Sequence, residues 1–403
     1  MDAMAAEQPP GASMRIGIVA GEMSGDYLAA GLMRELRRHF PAARFEGIGG
    51  PRMEAEGCTS FHPLESLSVM GLVEVLRHLP GLLAIRRDLV RRFQADPPDL
   101  FIGIDAPDFN LGLERRLREQ GIPTVHYVSP TVWAWRQGRI RDIARSVDRM
   151  LCIFPFEREF FRHHDVPATF VGHPLADEVP ETPDQAGARS ALDLPAEGAM
   201  VALLPGSRMS EVKHLGPLFL ETAAWLFQHR PDLRFIVPCA TGPIAEHMRG
   251  LAAAHTDGMP VTLVDGRSRE CLAAATVALL ASGTASLEAM LHKRPMVVAY
   301  KVSALTGWLA RRLVKVDHFA MPNLIANRRM VEEFAQQDAV TGNLGPAVLD
   351  LLEHPEKRER LIAEFTALHR TLRQDASAQA AEAVAQLLEE RGHARLTEEG
   401  GSV

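Results

Sequence analysis

Four cysteines in 403 residues, no long apolar run and no surplus of basic charge set the first limits on this chain. Cys58, Cys152, Cys239 and Cys271 stand far apart with no Cys-x-x-Cys pair, which argues against a disulfide framework or a zinc ribbon and for buried thiols in a reducing compartment. Acidic residues outnumber basic ones, 51 to 44, for a net charge of −7, so a general affinity for nucleic acid is not expected. No apolar stretch approaches the roughly 18 residues needed to cross a bilayer. Met1–Ser13 combines acidic residues with Pro9, Pro10 and Gly11 and lacks a basic region ahead of an apolar core, so it reads as a disordered lead-in, not a signal peptide. A cytoplasmic protein is expected. What is present is ordinary for a globular chain with substantial cores, 46% hydrophobic and 24% charged. The length suits two domains at about 150 residues each.

Short β-branched runs alternate with longer helical patterns. Arg15–Ala20, Leu100–Ile104, Thr124–Val128 and Arg149–Phe154 read as buried parallel strands of one sheet. Met200–Leu204, Arg234–Pro238, Val261–Val264, Val277–Ala281 and Met296–Tyr300 read as a second set. A segment rich in Pro, Asp and Glu, Asp177–Gly187, separates them as a linker. The expected organisation is two Rossmann-like α/β domains, 14–180 and 188–346, with a ligand cleft at the carboxyl ends of both sheets. Helices over 347–391 are expected to pack on the N-terminal domain of this chain or of a partner, followed by a disordered tail, 392–403.

The chemistry belongs where glycine-rich turns follow strands. Gly21-Glu22-Met23-Ser24-Gly25-Asp26 lacks the Lys of a P-loop and the third glycine of a dinucleotide fingerprint, and is either a plain strand-to-helix turn or a ligand loop. Leu203-Leu204-Pro205-Gly206-Ser207-Arg208 ends a strand with free backbone N–H groups and a guanidinium, both suited to a diphosphate. Ser282-Gly283-Thr284-Ala285-Ser286 repeats the arrangement at the start of a helix. Glu288, one turn on, can accept hydrogen bonds from ribose hydroxyls. Ordinary capping by Ser or Thr is the plainer reading of each turn alone.

Together these segments identify a resemblance. The chain resembles the lipid-A-disaccharide synthases, GT-B glycosyltransferases that join two acylated glucosamines. The resemblance rests on Gly21–Asp26, Val69–Leu76, Gly103–Asn110, His126–Gln137, Val171–Asp177, Leu203–Arg208, Leu280–Glu288 and Met321–Leu324, in order from about Arg15 to about Arg391. It departs at His318-Phe319-Ala320, where a more aromatic or hydroxylated lead into Pro-Asn is expected.

The resemblance implies that UDP-2,3-diacylglucosamine gives its sugar to the 6-hydroxyl of 2,3-diacylglucosamine 1-phosphate, forming the β(1→6) disaccharide and UDP. Inversion needs one in-line attack, hence a base and a stabilised leaving group. Asp105, directly after a strand, is the expected base, with Asp108 a second carboxylate nearby whose plain reading is a cap or turn. Gly206, Ser207, Arg208, Ser282, Gly283, Thr284, Ala285, Ser286 and Glu288 are expected to bind the UDP-sugar, and the resemblance adds Asn323. With no Asp-x-Asp pair for a diphosphate-bound cation, neither metal nor cofactor is expected. Glu22, Ser24, Gly25, Asp26, Trp133 and Trp135 are assigned to the acceptor and sugar side. His126 and His173 flank the expected cleft, with a structural role the plainer reading of each.

Both substrates carry fatty chains. Val73, Val75, Leu76, Leu79, Leu82 and Leu83, interleaved with Arg77, Arg86, Arg87, Arg91 and Arg92, suit a surface that docks on inner-membrane lipids at the cytoplasmic face. The alternative is a pair of core helices divided near Pro80. A homodimer through exchanged C-terminal helices is compatible with the Ala-rich tail. Two other functions share these features: a UDP-sugar epimerase of the same architecture, and a non-catalytic nucleotide-sugar sensor.

Overall fold

The computed structural model describes residues 14–67, 72–134, 137–255, 258–302 and 317–392, and for 72–77 it describes only a helical backbone. Met1–Ser13, Trp135, the tail beyond Gly392 and the side chains of Val73, Val75 and Leu76 therefore lie outside the described residues. The chain divides into two compact units, one running to Pro174 and resuming at Gln374, the other spanning Leu175–Arg373.

The first unit alternates β1 (Arg15–Ala20), α1 (Met23–His39), β2 (Arg44–Ile48), α2 (Pro51–Ala55), β3 (Cys58–Ser60), α3 (Leu72–Ala95), β4 (Leu100–Ile104), α4 (Pro107–Arg118) and β5 (Thr124–Tyr127). It continues through α5 (Ile140–Ser146), β6 (Arg149–Cys152), α6 (Pro155–Arg162) and β7 (Ala168–Phe170). Its sheet has the order β3-β2-β1-β4-β5-β6-β7 with every pair parallel. The central strand β4, Leu-Phe-Ile-Gly-Ile, is buried at all five positions because helices cover both faces. Chain order reverses between β1 and β4, and such a switch point opens a crevice at the carboxyl ends of the strands.

The second unit repeats the plan. It contains α7 (Pro174–Glu178), α8 (Gln185–Ala191), β8 (Met200–Leu204), α9 (Met209–His229), β9 (Arg234–Cys239), α10 (Gly242–His255), β10 (Val261–Asp265), α11 (Ser268–Ala274), β11 (Val277–Ala281), α12 (Thr284–Leu291) and β12 (Met296–Tyr300). After 317 come α13 (Met321–Ala326), β13 (Glu332–Ala335), α14 (Thr341–Glu353) and α15 (Pro355–Leu372). The sheet order is β10-β9-β8-β11-β12-β13, with the switch between β8 and β11.

Three expectations change. The segment 177–187 is not a bare linker: α7 reaches Glu178, and Asp184 caps α8 by accepting the Gly187 N–H. The helices expected as one block over 347–391 separate. α14 and α15 belong to the second unit, where α15 buries Phe365, His369 and Leu372, while α16 (Ala376–Glu390) lays Ala380, Ala381, Val384, Leu387 and Leu388 into the core beside α1. The small alanines are the reason, since they let two helices approach closely along their length. Finally, Pro80 does not divide α3 into two helices but sits inside a single 24-residue helix. His78, Leu79, Pro80 and Gly81 are all exposed, so water can satisfy the backbone group that proline leaves unpaired.

Candidate functional site

At the switch point of the first unit, the turn after β4 holds Asp105 and Ala106 in left-handed backbone, φ 50° and 39°. Two consecutive non-glycine residues there are strained and must be held. Asn110, fully buried on the first turns of α4, does so by donating through Nδ2 to the carbonyls of Val19, Ile104 and Asp105 at 3.0–3.2 Å. The Asp105 Oδ1 accepts the Gly21 N–H at 2.9 Å, and Oδ2 faces Gly25. A Cβ at Gly25 would lie 2.3 Å from Oδ2, and one at Gly21 would lie 2.2 Å from the Ala106 Cβ. The two glycines of the Gly21–Asp26 segment are therefore the space into which the carboxylate fits. Burial pushes the Asp105 carboxyl up to about 7, Glu22 adds to the rise, and the Gly21 N–H opposes it. A carboxylate poised near neutrality is suited to accept a proton from a hydroxyl.

The other acceptor-side residues separate by role. Glu22 and Ser24 are exposed and bonded to each other. Asp26 is fully buried and accepts the N–H groups of Gly50, Arg52 and Met53, so its carboxylate is consumed in capping α2. This corrects its assignment to the sugar side. Asp108 points to solvent and pairs with Arg139 at 2.8 Å. Trp133 is half-buried, edge-on to Phe156 at 4.8 Å, and Phe156 stacks on Phe154, which packs on His173. His126 is fully buried; its Nδ1 meets Glu114 Oε1 at 2.7 Å.

In the second unit the switch point opens into a cavity of about 400 Å³. The expected residues Gly206, Ser207, Arg208, Ser282, Gly283, Thr284, Ala285 and Glu288 all line it. Arg208 reaches into solvent, and the Ser207 and Arg208 N–H groups turn toward Glu211 Oε2 at 3.1 and 3.4 Å. Glu211 thus marks where donors already converge on an anionic oxygen. Burial raises the Glu288 carboxyl, opposed by Arg269.

Two residues assigned to this site act elsewhere. The Ser286 hydroxyl donates to Gly283 O and accepts the Met321 N–H. Asn323 is fully buried; its Oδ1 accepts the Met330 and Val331 N–H groups and its Nδ2 donates to Val331 O. Both polar atoms of that amide are engaged in shaping the loop. The preceding segment, His318–Ala320, is fastened by Glu333, which meets His318 Nδ1 at 2.7 Å and accepts the Phe319 and Ala320 N–H groups. The sequence reading missed Pro238, Ala240, Gly266, Arg267 and Ser268, which complete the cavity wall. The signal was the Asp265-Gly266-Arg267-Ser268 turn after β10, with Gly266 and Arg267 both at positive φ.

No group of three or more His, Cys, Asp or Glu side chains placed to hold a metal ion occurs among the described residues. None of the helices described is long and apolar enough to cross a membrane.

The family model described as lipid-A-disaccharide synthetase matches residues 16–384. The lipid-A-disaccharide synthase of Hahella chejuensis is 54% identical over 376 residues, 93% of this chain and 95% of that protein. The lipid-A-disaccharide synthase of Pseudomonas aeruginosa strain UCBPP-PA14 is 53% identical over 378 residues, covering 94% and 99%. Among solved structures, UDP-GlcNAc 2-epimerase from Neisseria meningitidis bound to UDP-GlcNAc aligns with a TM-score of 0.62 at 13% identity, covering 94% of this chain and all of that one. The glycotransferase of kitacinnamycin aligns at 0.59 and 17% identity, covering 94% and 98%. At such identities the likeness shows the GT-B fold alone.

Proposed function

The chain belongs to the lipid-A-disaccharide synthase family, and from this premise we propose how its residues carry out the joining of two acylated glucosamines. UDP-2,3-diacylglucosamine gives its sugar to the 6-hydroxyl of 2,3-diacylglucosamine 1-phosphate, with inversion, leaving UDP. The observation that carries this assignment of roles is the cavity of the second unit, where two strand-end turns, Arg208 and Glu288 converge at a sheet switch point. The N–H groups of Gly206, Thr284 and Ala285 hold the diphosphate, Arg208 neutralises charge as UDP leaves, and Glu288 accepts the ribose hydroxyls. These donors stabilise the leaving group without an obligatory cation. In the first unit Asp105 takes the proton from the acceptor hydroxyl. Asp108, exposed and salt-bridged, is a poor second choice because it lacks the burial that lifts Asp105. Trp133 and the aromatic stack behind it offer an apolar face for the sugar or the first carbons of an acyl chain.

The fatty chains of both substrates support work at a lipid surface, read here as the cytoplasmic face of the inner membrane, with α3 as the docking element. Leu79 is exposed and Leu83 half-buried, with Arg86 and Arg87 close by, whereas Leu82 and Ile85 pack onto the core and anchor the helix. In this chain α16 packs on its own first unit; exchange of that helix between two copies would form the homodimer by the same contacts. The reading is tested by following UDP release with donor alone and with donor plus acceptor. Acceptor-dependent release supports transfer, and release or epimer formation from donor alone supports an epimerase.

A further inference from the structure

Behind Asp105 lies a pair of ionisable side chains that the assignment above does not use. Glu114 on α4 and His126 on β5 are both fully buried and meet at 2.7 Å, Oε1 to Nδ1. His126 stands opposite Gly103 of β4, two residues before Asp105. A Cβ at Gly103 would lie 2.0 Å from Glu114 Oε1 and 2.9 Å from Asn110 Cβ, so the glycine is what admits the carboxylate against the strand. The contacts then run on without a gap, since Asn110 touches Gly103 and donates to the Asp105 carbonyl. Glu114 Oε2, His126 Nε2 and Asn110 Oδ1 are buried with no hydrogen-bond partner among the described residues. A core built only for stability does not bury three polar groups incompletely paired, because apolar side chains of similar size would cost less.

We propose that Glu114 and His126 form a buried pair holding a single proton, which positions Asp105 through α4 and sets the pH at which Asp105 can accept a proton. The proposal rests on the reading of Asp105 as the base. With one proton the pair is neutral overall, and with that proton on the imidazole it places positive charge on the β5 side, where it favours the ionised form of Asp105. The other charged group acting on Asp105 is Glu22, from the loop after β1, which works in the opposite sense. On its own helix Asp108 faces solvent against Arg139. Burial raises the Glu114 carboxyl and His126 opposes that rise. Neither residue touches substrate; both are positioning residues.

The test is the pH profile of kcat/KM for the wild type, Glu114→Gln, His126→Gln and Asp105→Asn, with melting curves for each. His126→Gln removes the positive partner of Asp105, and Glu114→Gln removes the carboxylate that balances that charge in the interior, so in both the acid limb moves up by about half to one pH unit while the alkaline plateau stays within about threefold. A uniform loss at every pH with an unmoved limb overturns the proposal and makes the pair a structural bolt. Full turnover in Asp105→Asn overturns the assignment of the base instead, so the two failures are distinguishable.

Discussion

Replacing Asp105 by Asn removes a carboxyl that the fold holds in the wrong state for its own stability, and the consequence has a defined sign. The carboxyl is raised from 3.8 to about 7, chiefly by burial. Below pH 3.8 folded and unfolded chains both carry the proton and the site costs nothing. As pH rises toward 7 the unfolded chain ionises while the folded one keeps its proton, so stability present at low pH is progressively lost and then levels off. At 1.36 kcal/mol per unit the full penalty is about 4 kcal/mol as an upper bound, and the part that accrues between pH 5 and pH 8 is on the order of 2–3 kcal/mol. Asparagine does not titrate, and its Oδ1 can keep the bond to the Gly21 N–H. Urea unfolding of wild type and variant at pH 5 and pH 8, read by a signal from the first unit, should therefore show the variant gaining relative stability at the higher pH. Its turnover should fall by at least about 10² at pH 8, where the wild-type carboxyl is ionised, and by much less at pH 5, where the wild type is itself protonated, with UDP affinity unchanged. A stability difference that is the same at pH 5 and pH 8 would refute the raised carboxyl and with it the physical basis for choosing this base.

Arg208→Ala should lower turnover by roughly 10²–10³ in a folded protein, as loss of one charge-stabilising donor does, measured by steady-state kinetics at saturating donor. Asn323→Ala leaves the Met330 and Val331 N–H groups and the Val331 carbonyl unpaired in the interior; it should destabilise by about 2–3 kcal/mol in urea unfolding while donor KM stays within about threefold. Leu79→Ser with Leu83→Ser should leave the melting temperature within about 2 °C and weaken sedimentation with anionic liposomes several-fold, since Leu79 is exposed and Leu83 only half-buried.

The central strands were legible because burial on both faces writes itself as an unbroken apolar run. Arg15–Ala20, Leu100–Ile104, Met200–Leu204, Val277–Ala281 and Met296–Tyr300 occur at the expected residues. The strands that escaped are short or carry charge. β3, Cys-Thr-Ser, and β13, Glu-Glu-Phe-Ala, are edge strands with one side open, and β2 interleaves Arg44 and Glu46 with its apolar residues. The cavity was legible for a different reason: glycine and serine at strand ends are needed to free backbone N–H groups, whatever the ligand. Asp26 and Asn323 mark where such reading stops. A buried carboxylate or amide that fastens a loop and one that touches a ligand occupy the same motif and differ only in where the neighbouring backbone turns. Glu114 was hidden for the same reason, since nothing in Glu-Arg-Arg announces a helix face turned fully inward against a glycine.

Mass spectrometry of the products formed by purified protein from UDP-2,3-diacylglucosamine and 2,3-diacylglucosamine 1-phosphate tests the central claim most directly. A tetraacylated disaccharide monophosphate, β(1→6)-linked, formed in step with UDP and absent with Asp105→Asn, is the predicted result. Recovery of both substrates unchanged, or of an epimerised UDP-sugar with the acceptor untouched, would contradict it.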